Sequence, residues 1–215
     1  MPCNCRHGTG SHDHLQDGFL HGGVFGVGSP LNEQIDLPFI QLWNAKQGNS
    51  EAARILDPNN VNNEEPVCSD ADPELLLFIP LKQVCRIKGI SILGTNDDFA
   101  PSQVKVFCNP GIIQGFDSVR NLEPQEEILL AQVSVGDRIV YRLNPAKFSS
   151  SSNLALLFKD NFGENETHLL RIDIFGESTG RPVHQELATN IVYEAMANPA
   201  DHDVSEEHGK TFVVQ

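Results

Sequence analysis

The stretch CSDADPELLLFIPLKQVCRIKGISIL, residues 68–93, decides how the rest of the chain is interpreted. It opens with small and acidic residues and continues as an apolar run at 75–79, which Pro80 is expected to close. After that, apolar and basic side chains alternate, and alternation with a period of two is typical of β-strands. The apolar positions change parity at Gly89, which predicts a β-bulge at that residue.

Further short strands are predicted on both sides of this stretch. They are residues 104–107, 127–133, 139–143, 154–158 and 169–175, with a last one at 184–193. In 169–175 apolar residues alternate with Arg171 and Asp173, so a half-buried strand is expected. Residues 35–47 are expected to dock on the body as a short helix or strand, and residues 48–67 to form a loop. Many short strands without long crossover helices predict an all-β fold, an antiparallel β-sandwich or jelly roll.

The charge and cysteine content limit the classes of partner and the location. The 215 residues carry 29 acidic and 15 basic side chains, a net charge of −14. Such a charge repels phosphates, so neither nucleic acid nor an anionic membrane is a predicted partner, whereas basic protein surfaces suit it. The five cysteines are odd in number and lack framework spacing, which indicates reduced thiols. The predicted location is the cytoplasm, with the nucleus as an alternative.

Composition divides the chain into three parts. Residues 1–30 are rich in Cys, His and Gly and are expected to be a flexible extension. Residues 31–194 contain the predicted strands and form the β-sandwich domain, and residues 195–215 form an acidic tail with an apolar end. A monomer is expected, although the edges of a sandwich leave dimerisation open.

The candidate metal ligands lie near the N-terminus. They are Cys3, Cys5, His7, His12 and His14. Thiolate and imidazole are ligands that zinc prefers, but the C-x-C spacing is tighter than the C-x₂₋₄-C of structural zinc sites. The alternative is therefore a tail that binds zinc weakly and adventitiously, and no obligatory cofactor is predicted.

No motif for catalysis is present. The P-loop, GxSxG and HExxH patterns are absent, and GGVFGVG at 22–28 lacks the strand and helix that a dinucleotide site needs. The acidic pairs within 70–72 and 97–98 are interpreted as turns or caps. His168 and His184 are interpreted as partly buried or surface histidines rather than ligands or bases. The protein is therefore predicted not to be an enzyme.

Several spaced pieces together resemble the PITH domain family. They are SDADPELLLFIPL (69–81), APSQVKVFCNPG (100–111), GFDS (115–118), KFSSSSNLALLFKDNFGENET (147–167) and LLRIDIFGE (169–177), and the segment YEAMANPADHDV (193–204) is similar as well. The resemblance covers roughly residues 31–194, and it departs at 48–66 and at 205–215.

This resemblance implies a galactose-binding-like jelly-roll sandwich and a cytosolic or nuclear protein that associates with the 26S proteasome as an adaptor or regulator. It implies no catalytic residues and no obligatory cofactor. An acidic tail with an apolar end suits binding as an extended peptide, and the alternative is a tail that packs on its own sandwich or makes no contact. The candidate partner-binding residues of the tail are Asn198, Pro199, Asp201, His202, His208 and Phe212.

Two other functions remain as alternatives. The first is a β-sandwich that binds carbohydrate or another small ligand, in which Phe99 would be the aromatic that stacks on a sugar ring. The second is a metal-responsive protein that uses its N-terminal Cys/His segment.

Overall fold

The structure is a computed structural model, and it describes residues 26–132 and 138–183. The strands are β1 Ser29–Pro30, β2 Gln41–Trp43, β3 Val67–Cys68, β4 Leu75–Gly94, β5 Pro101–Cys108, β6 Glu126–Leu129, β7 Val140–Arg142, β8 Ser151–Asn161 and β9 His168–Pro182. The helices are α1 Asn49–Leu56 and α2 Asp117–Arg120, with 3-10 turns at Asn32–Gln34 and Leu37–Phe39. The described part of the chain is therefore mostly β-structure, as predicted.

Strand β4 belongs to both layers of the sandwich. Its first part pairs with β8, from Leu75 opposite Phe158 to Pro80 opposite Asn153, and also with β2. Its second part pairs with β9 and β7. The register with β8 shifts between Pro80 and Cys85, where the strand passes from one layer to the other. The prediction that Pro80 closes the strand was therefore wrong. The chain stays extended through Pro80, and only its pairing with β8 is interrupted.

The two layers are antiparallel throughout. One has the order β2–β4–β8–β5–β6, and the other places β7 and β9 on β4, with β1 and β3 on β9. The core between them takes alternate residues from each strand. Its buried members include Leu75, Leu77, Ile79, Ile90, Ile92, Val104, Val106, Leu154, Leu156, Phe158, Ile172 and Ile174. The predicted fold class, an antiparallel β-sandwich, is confirmed.

A second, smaller cluster lies on the opposite face of the β4–β8–β5 layer. Leu76, Phe107 and Leu157 pack there against Val119 of α2, and Trp43 of β2 packs at its margin. These residues alternate along their strands with the residues of the main core. This layer is consequently buried on both faces, which explains why residues 75–79 form a continuous apolar run.

The bulge predicted at Gly89 is confirmed. The register between β4 and β9 shifts between Ile87 and Gly89, and Ile90 then pairs with Ile174. A Cβ at Gly89 would lie 3.1 Å from Val140 Cγ1 and 3.2 Å from the carbonyl oxygen of Tyr141, which is tighter than ordinary contact, so glycine suits this position beside β7.

Residues 48–67, expected to form a loop, contain the helix α1. Ala52, Ile55 and Leu56 are fully buried and follow the i, i+3, i+4 spacing of one helical face. The prediction was wrong because the helix has only eight residues between polar flanks. Residues 35–47 dock as a 3-10 turn followed by β2, as expected.

The half-buried strand predicted at 169–175 is buried on both faces. Arg171 Nη2 lies 2.7 Å from Asp173 Oδ1, and Arg138 Nη1 lies 3.2 Å from Asp173 Oδ2. Arg171 Nη1 also donates to the carbonyls of Asp57 and Asn60, at 3.1 and 2.5 Å. The segment after α1 therefore covers the polar face of β9, and the charges are buried because they are paired and hydrogen-bonded.

The described residues include part of the predicted N-terminal extension. Ser29 and Pro30 pair with Gly176 and Phe175 of β9, so the body begins before residue 31. The strand predicted at 184–193 and the tail at 195–215 lie outside the described residues. Within 26–132 and 138–183, no helix has the length and apolar character needed to cross a membrane.

Candidate functional site

Four connecting segments meet at one end of the sandwich. Asp70 N donates to Asn44 O at 3.0 Å, and Ser69 N donates to Thr167 O at 2.9 Å. His168 N donates to Phe99 O at 2.9 Å. These bonds join the segments around residues 44–47, 69–74, 95–100 and 161–167. Loops held on a rigid sheet in this way are where a β-sandwich usually carries its binding residues.

The acidic pairs of this end serve as turns, as predicted. Asp72 Oδ1 accepts from Glu74 N at 2.9 Å and from Asn44 Nδ2 at 2.8 Å. Asp97 Oδ1 accepts from Phe99 N at 3.2 Å and from Thr95 Oγ1 at 2.5 Å. Their carboxylates are therefore used to shape the loops.

Cys68, Glu166 and His168 form a cluster among these loops. One donor atom from each lies within 4.8 Å of the other two, and all three residues are half-buried. Cys68 stands directly opposite His168 in the β3–β9 pair, which puts their side chains on the same face. Glu166 precedes His168 by two positions, and its Oε2 lies 3.8 Å from His168 Nε2.

Lys46 is the basic neighbour of this cluster. Its Nζ lies 2.5 Å from Glu166 Oε2, and its backbone N donates to Cys68 O at 3.0 Å. The hydrogen bond with Glu166 raises the pKa of Lys46, and the same bond lowers the pKa of Glu166. Each partner thus favours the charged form of the other.

The ring of His168 is held by Phe99. The two rings are stacked, with centroids 4.4 Å apart and planes 8° apart. Phe99 itself is half-buried at the end of its loop. The imidazole is consequently oriented from one face by an aromatic ring and approached from its Nε2 edge by Glu166.

The donor set of the cluster is of the metal-binding type. Thiolate, imidazole and carboxylate are the three side-chain ligands that zinc takes in proteins. An activated cysteine nucleophile would need a base within hydrogen-bond reach. The hydrogen bond of Cys68 Sγ runs instead to the carbonyl of Pro66, at 3.9 Å.

The other described cysteines do not contribute to a site. Cys68, Cys85 and Cys108 are free thiols, as predicted. Burial raises the pKa of the Cys85 and Cys108 thiols, and hydrogen bonds with Ser178 and Ser151 oppose that shift. Burial therefore favours the protonated form of both thiols over the thiolate, which is the reactive form.

A cavity of about 320 Å³ lies beside α1. It is lined by Leu37, Pro38, Asn49, Ser50 and Ala53. None of these side chains titrates, so the cavity offers no group for acid–base or metal chemistry.

The site residues predicted from the sequence lie outside the described residues. This holds for the metal candidates Cys3, Cys5, His7, His12 and His14 and for the tail candidates Asn198, Pro199, Asp201, His202, His208 and Phe212. His168 is partly buried, as predicted, but its place beside Cys68 and Glu166 was missed. The sequence carried only the Glu-x-His spacing ahead of a strand as a signal, because the pairing of β3 with β9 is a tertiary feature.

Comparison with known proteins identifies relatives over nearly the whole chain. A family model described as PITH domain matches residues 23–197. The chain is 34% identical over 204 residues to PITH domain-containing protein CG6153 of Drosophila melanogaster, covering 94% of both chains. It is 31% identical over 190 residues to PITH domain-containing protein 1 of Homo sapiens, covering 88% of both chains.

Solved structures show the same fold at low sequence identity. A family 89 glycoside hydrolase of Clostridium perfringens, in complex with GlcNAc-alpha-1,4-galactose, matches 74% of this chain with a TM-score of 0.52 and 13% identity. The structural match covers 16% of the hydrolase chain. A second structure of that hydrolase, in complex with PUGNAc, has a TM-score of 0.50 at 13% identity and matches 78% of this chain and 18% of its own. At this identity the likeness concerns the fold alone.

Proposed function

The chain belongs to the PITH domain family, and from this we propose that it is a protein-binding module that associates with the 26S proteasome as an adaptor or regulator. The observation that carries the proposal is the family match across residues 23–197. The association with the proteasome comes from the resemblance to the family. The net charge of −14 supports a protein partner with a basic surface and argues against nucleic acid and anionic membranes.

The architecture supports a binding role rather than catalysis. Side chains along the strands alternate between two apolar clusters, and the buried charged side chains of the described residues, Arg171 and Asp173, are paired with each other. Function in such a scaffold resides in loops and extensions. We place the module in the cytoplasm, with the nucleus as an alternative, as a monomer that needs no obligatory cofactor.

Two surfaces are candidates for the contact. The first is the C-terminal tail with its residues 198–212. The second is the sandwich itself, where single apolar side chains are exposed at separate places: Ile112, which is 86% exposed beyond the end of β5, and Leu129, which is 77% exposed at the end of the edge strand β6. A large apolar side chain exposed on an edge strand, as Leu129 is, favours a protein contact.

A capture experiment with endogenous 26S proteasome tests the proposal. The baits are the full chain, a chain that ends at Met196, and a full chain with Ile112→Ser and Leu129→Ser. Phe39→Ser is the matched control, because Phe39 is 67% exposed and belongs to the 3-10 turn before β2. We expect the full chain and the control to capture proteasome. Loss in the truncated chain would assign the contact to the tail, and loss in the double variant would assign it to the sandwich.

The proposal fails if the full chain captures no proteasome from a lysate in which an established proteasome-binding protein succeeds. Capture that is unchanged in both variants would keep the association but move the contact to another part of the sandwich or to residues 1–25.

A carbohydrate-binding function is the second candidate. It is favoured by the fold shared with a hydrolase crystallised with GlcNAc-alpha-1,4-galactose, and by the position of Phe99 among the loops of one end. A sugar ring needs a free aromatic face, and one face of Phe99 is taken by His168. A glycan array decides the matter: binding that disappears in Phe99→Ala would support this function, and absence of binding by the unaltered chain would refute it.

The N-terminal Cys/His segment remains a separate proposal for metal response. This proposal predicts about one zinc ion per chain in protein that is purified without an affinity tag. Zinc content that is unchanged by Cys3→Ser together with Cys5→Ser would contradict it.

A further inference from the structure

The loop end of the sandwich carries a feature that protein binding does not require. We propose that Cys68, Glu166 and His168 form a zinc site, with one ligand atom from each side chain and a fourth position open to water. The proposal goes beyond the proteasome association, and neither depends on the other. It differs from the N-terminal Cys/His candidates in both its residues and its position.

The distances are close to those of a zinc centre. Tetrahedral zinc with thiolate, imidazole and carboxylate ligands places the ligand atoms about 3.3–3.8 Å from one another. His168 Nε2 and Glu166 Oε2 are already 3.8 Å apart, and the whole set lies within 4.8 Å. Contraction by about 1 Å, within the reach of side-chain rotation, therefore completes the triangle.

The backbone beneath the ligands is fixed. Cys68 N donates to Gln47 Oε1 at 2.9 Å, and Asn161 Nδ2 donates to Glu166 O at 2.7 Å. Between the ligands, Thr167 N donates to Ser69 Oγ at 2.8 Å, and Thr167 Oγ1 donates to Pro73 O at 2.7 Å. The site is thus preorganised by bonds that do not involve the ligand atoms themselves.

The neighbours of the cluster suit a metal as well. Phe99 holds the imidazole plane of His168 by stacking, which leaves its nitrogen edge directed to the other ligands. Lys46 provides the positive charge beside Glu166 when no metal is bound. Its side chain is 45% exposed, so the ammonium can move into water when zinc takes its place.

The donor set selects the class of metal. A thiolate with an imidazole favours zinc and other borderline or soft ions over magnesium and calcium, which require oxygen ligands. Zinc sites with three protein ligands and one open position bind a water there, and that water can be exchanged for another ligand.

Cobalt(II) is the probe for the test, because its thiolate charge-transfer band and its d–d bands report sulfur ligation and tetrahedral geometry. The full chain, purified without a tag and stripped by a chelator, is titrated with cobalt and then with zinc as competitor. We expect cobalt to bind with a thiolate band that zinc displaces. In the chain with Cys3→Ser and Cys5→Ser, which removes the thiols of the separate N-terminal proposal, one equivalent of cobalt and the band should remain, and both should be lost when Cys68→Ser is added.

Cys108→Ser is the matched control, because Cys108 is also half-buried and lies outside the cluster. It should keep the band. If the band survives Cys68→Ser in the chain that also carries Cys3→Ser and Cys5→Ser, or if that chain gives no band without Cys68→Ser, the proposal is overturned. Loss of the band in the N-terminal double variant alone would assign the metal to the N-terminal segment and would likewise overturn it.

Two further variants separate metal binding from folding. Glu166→Gln keeps the thiolate and should weaken cobalt binding while retaining the band. Lys46→Ala removes the competing ammonium and should tighten binding several-fold, which a purely structural ion pair would not do. Cobalt affinity that is unchanged in both would refute the role of Glu166 as a ligand and with it the three-ligand site.

Discussion

The imidazole of His168 lies parallel to the ring of Phe99, with centroids 4.4 Å apart. The same two residues are joined by the backbone, since His168 N donates to Phe99 O at 2.9 Å. These two contacts hold the loop after β4 against His168, the first residue of β9. Cys68 of β3 lies opposite the same His168 in the β3–β9 pair. The loop end of the sandwich is therefore organised around this contact.

Replacing Phe99 by Ala should lower the free energy of unfolding by roughly 1–2 kcal/mol, because it removes a ring stack and half-buried apolar area. Urea denaturation followed by circular dichroism measures the change. Phe39→Ala is the control, since Phe39 is 67% exposed and should lose little stability. Equal losses in the two variants would show that the Phe99–His168 contact contributes nothing specific.

Replacing Asp173 by Asn should lower the free energy of unfolding by about 3–5 kcal/mol. The change removes the negative partner of Arg171, whose side chain is 5% exposed, and leaves a buried charge insufficiently compensated. Glu177→Gln is the control, because Glu177 pairs with Lys88 at the surface and should matter much less. Chemical denaturation of both variants decides the point, and an Asp173→Asn variant as stable as Glu177→Gln would contradict the interpretation.

The sequence predicted the features that follow from local patterning. The parity change at Gly89 indicated the bulge, and the alternation around Ile172 and Ile174 indicated a strand with one core face. What the pattern missed depends on contacts between distant segments. Arg171 and Asp173 suggested a solvent-exposed face, but the segment after α1 covers them.

The candidate site was also missed because it depends on a contact between distant segments. Glu166 and His168 are neighbours in the sequence, but Cys68 reaches them only through the β3–β9 pair, which involves two residues of β3. So short a strand carries no periodicity, and no spacing in the sequence indicates it. The helix α1 was missed for a related reason, because eight residues supply barely two turns of apolar spacing.

Replacing Gly176 by Ala should destabilise the protein by about 3 kcal/mol or more. Gly176 lies between β1 and β4, and a Cβ there would overlap the carbonyl oxygen of Arg86, a backbone atom that cannot rotate away. Gly48→Ala is the control, because the nearest atom to its Cβ would be Ser50 Oγ at 4.0 Å.

Thermal and urea unfolding of the two glycine variants provide the measurement. The control should stay within about 1 kcal/mol of the unaltered chain. A Gly176→Ala variant that is equally stable would mean that β9 and β4 can move apart without cost at this point.

The stability of the protein should fall as the pH rises above about 9, in part because of two thiols. Burial raises the pKa of Cys85 and of Cys108 above the ordinary value of 9.0. Because the pKa is higher in the folded protein, the thiol loses its proton first in the unfolded chain as the pH rises. The stabilising contribution of each buried thiol is therefore complete below pH 9 and decreases until the pH reaches the folded-state pKa. Each thiol contributes at most about 1.4 kcal/mol per pH unit in that window.

Urea denaturation of the unaltered chain and of a Cys85→Ala, Cys108→Ala variant between pH 7 and 10.5 isolates this contribution. Lysine and tyrosine titrate in both proteins, so their effects cancel in the difference. The variant should be less stable at pH 7, because two buried side chains are shortened, and the gap should narrow above pH 9. If the two curves stay parallel over the whole range, the thiols ionise as readily in the folded protein as in the unfolded chain, and burial does not protect them.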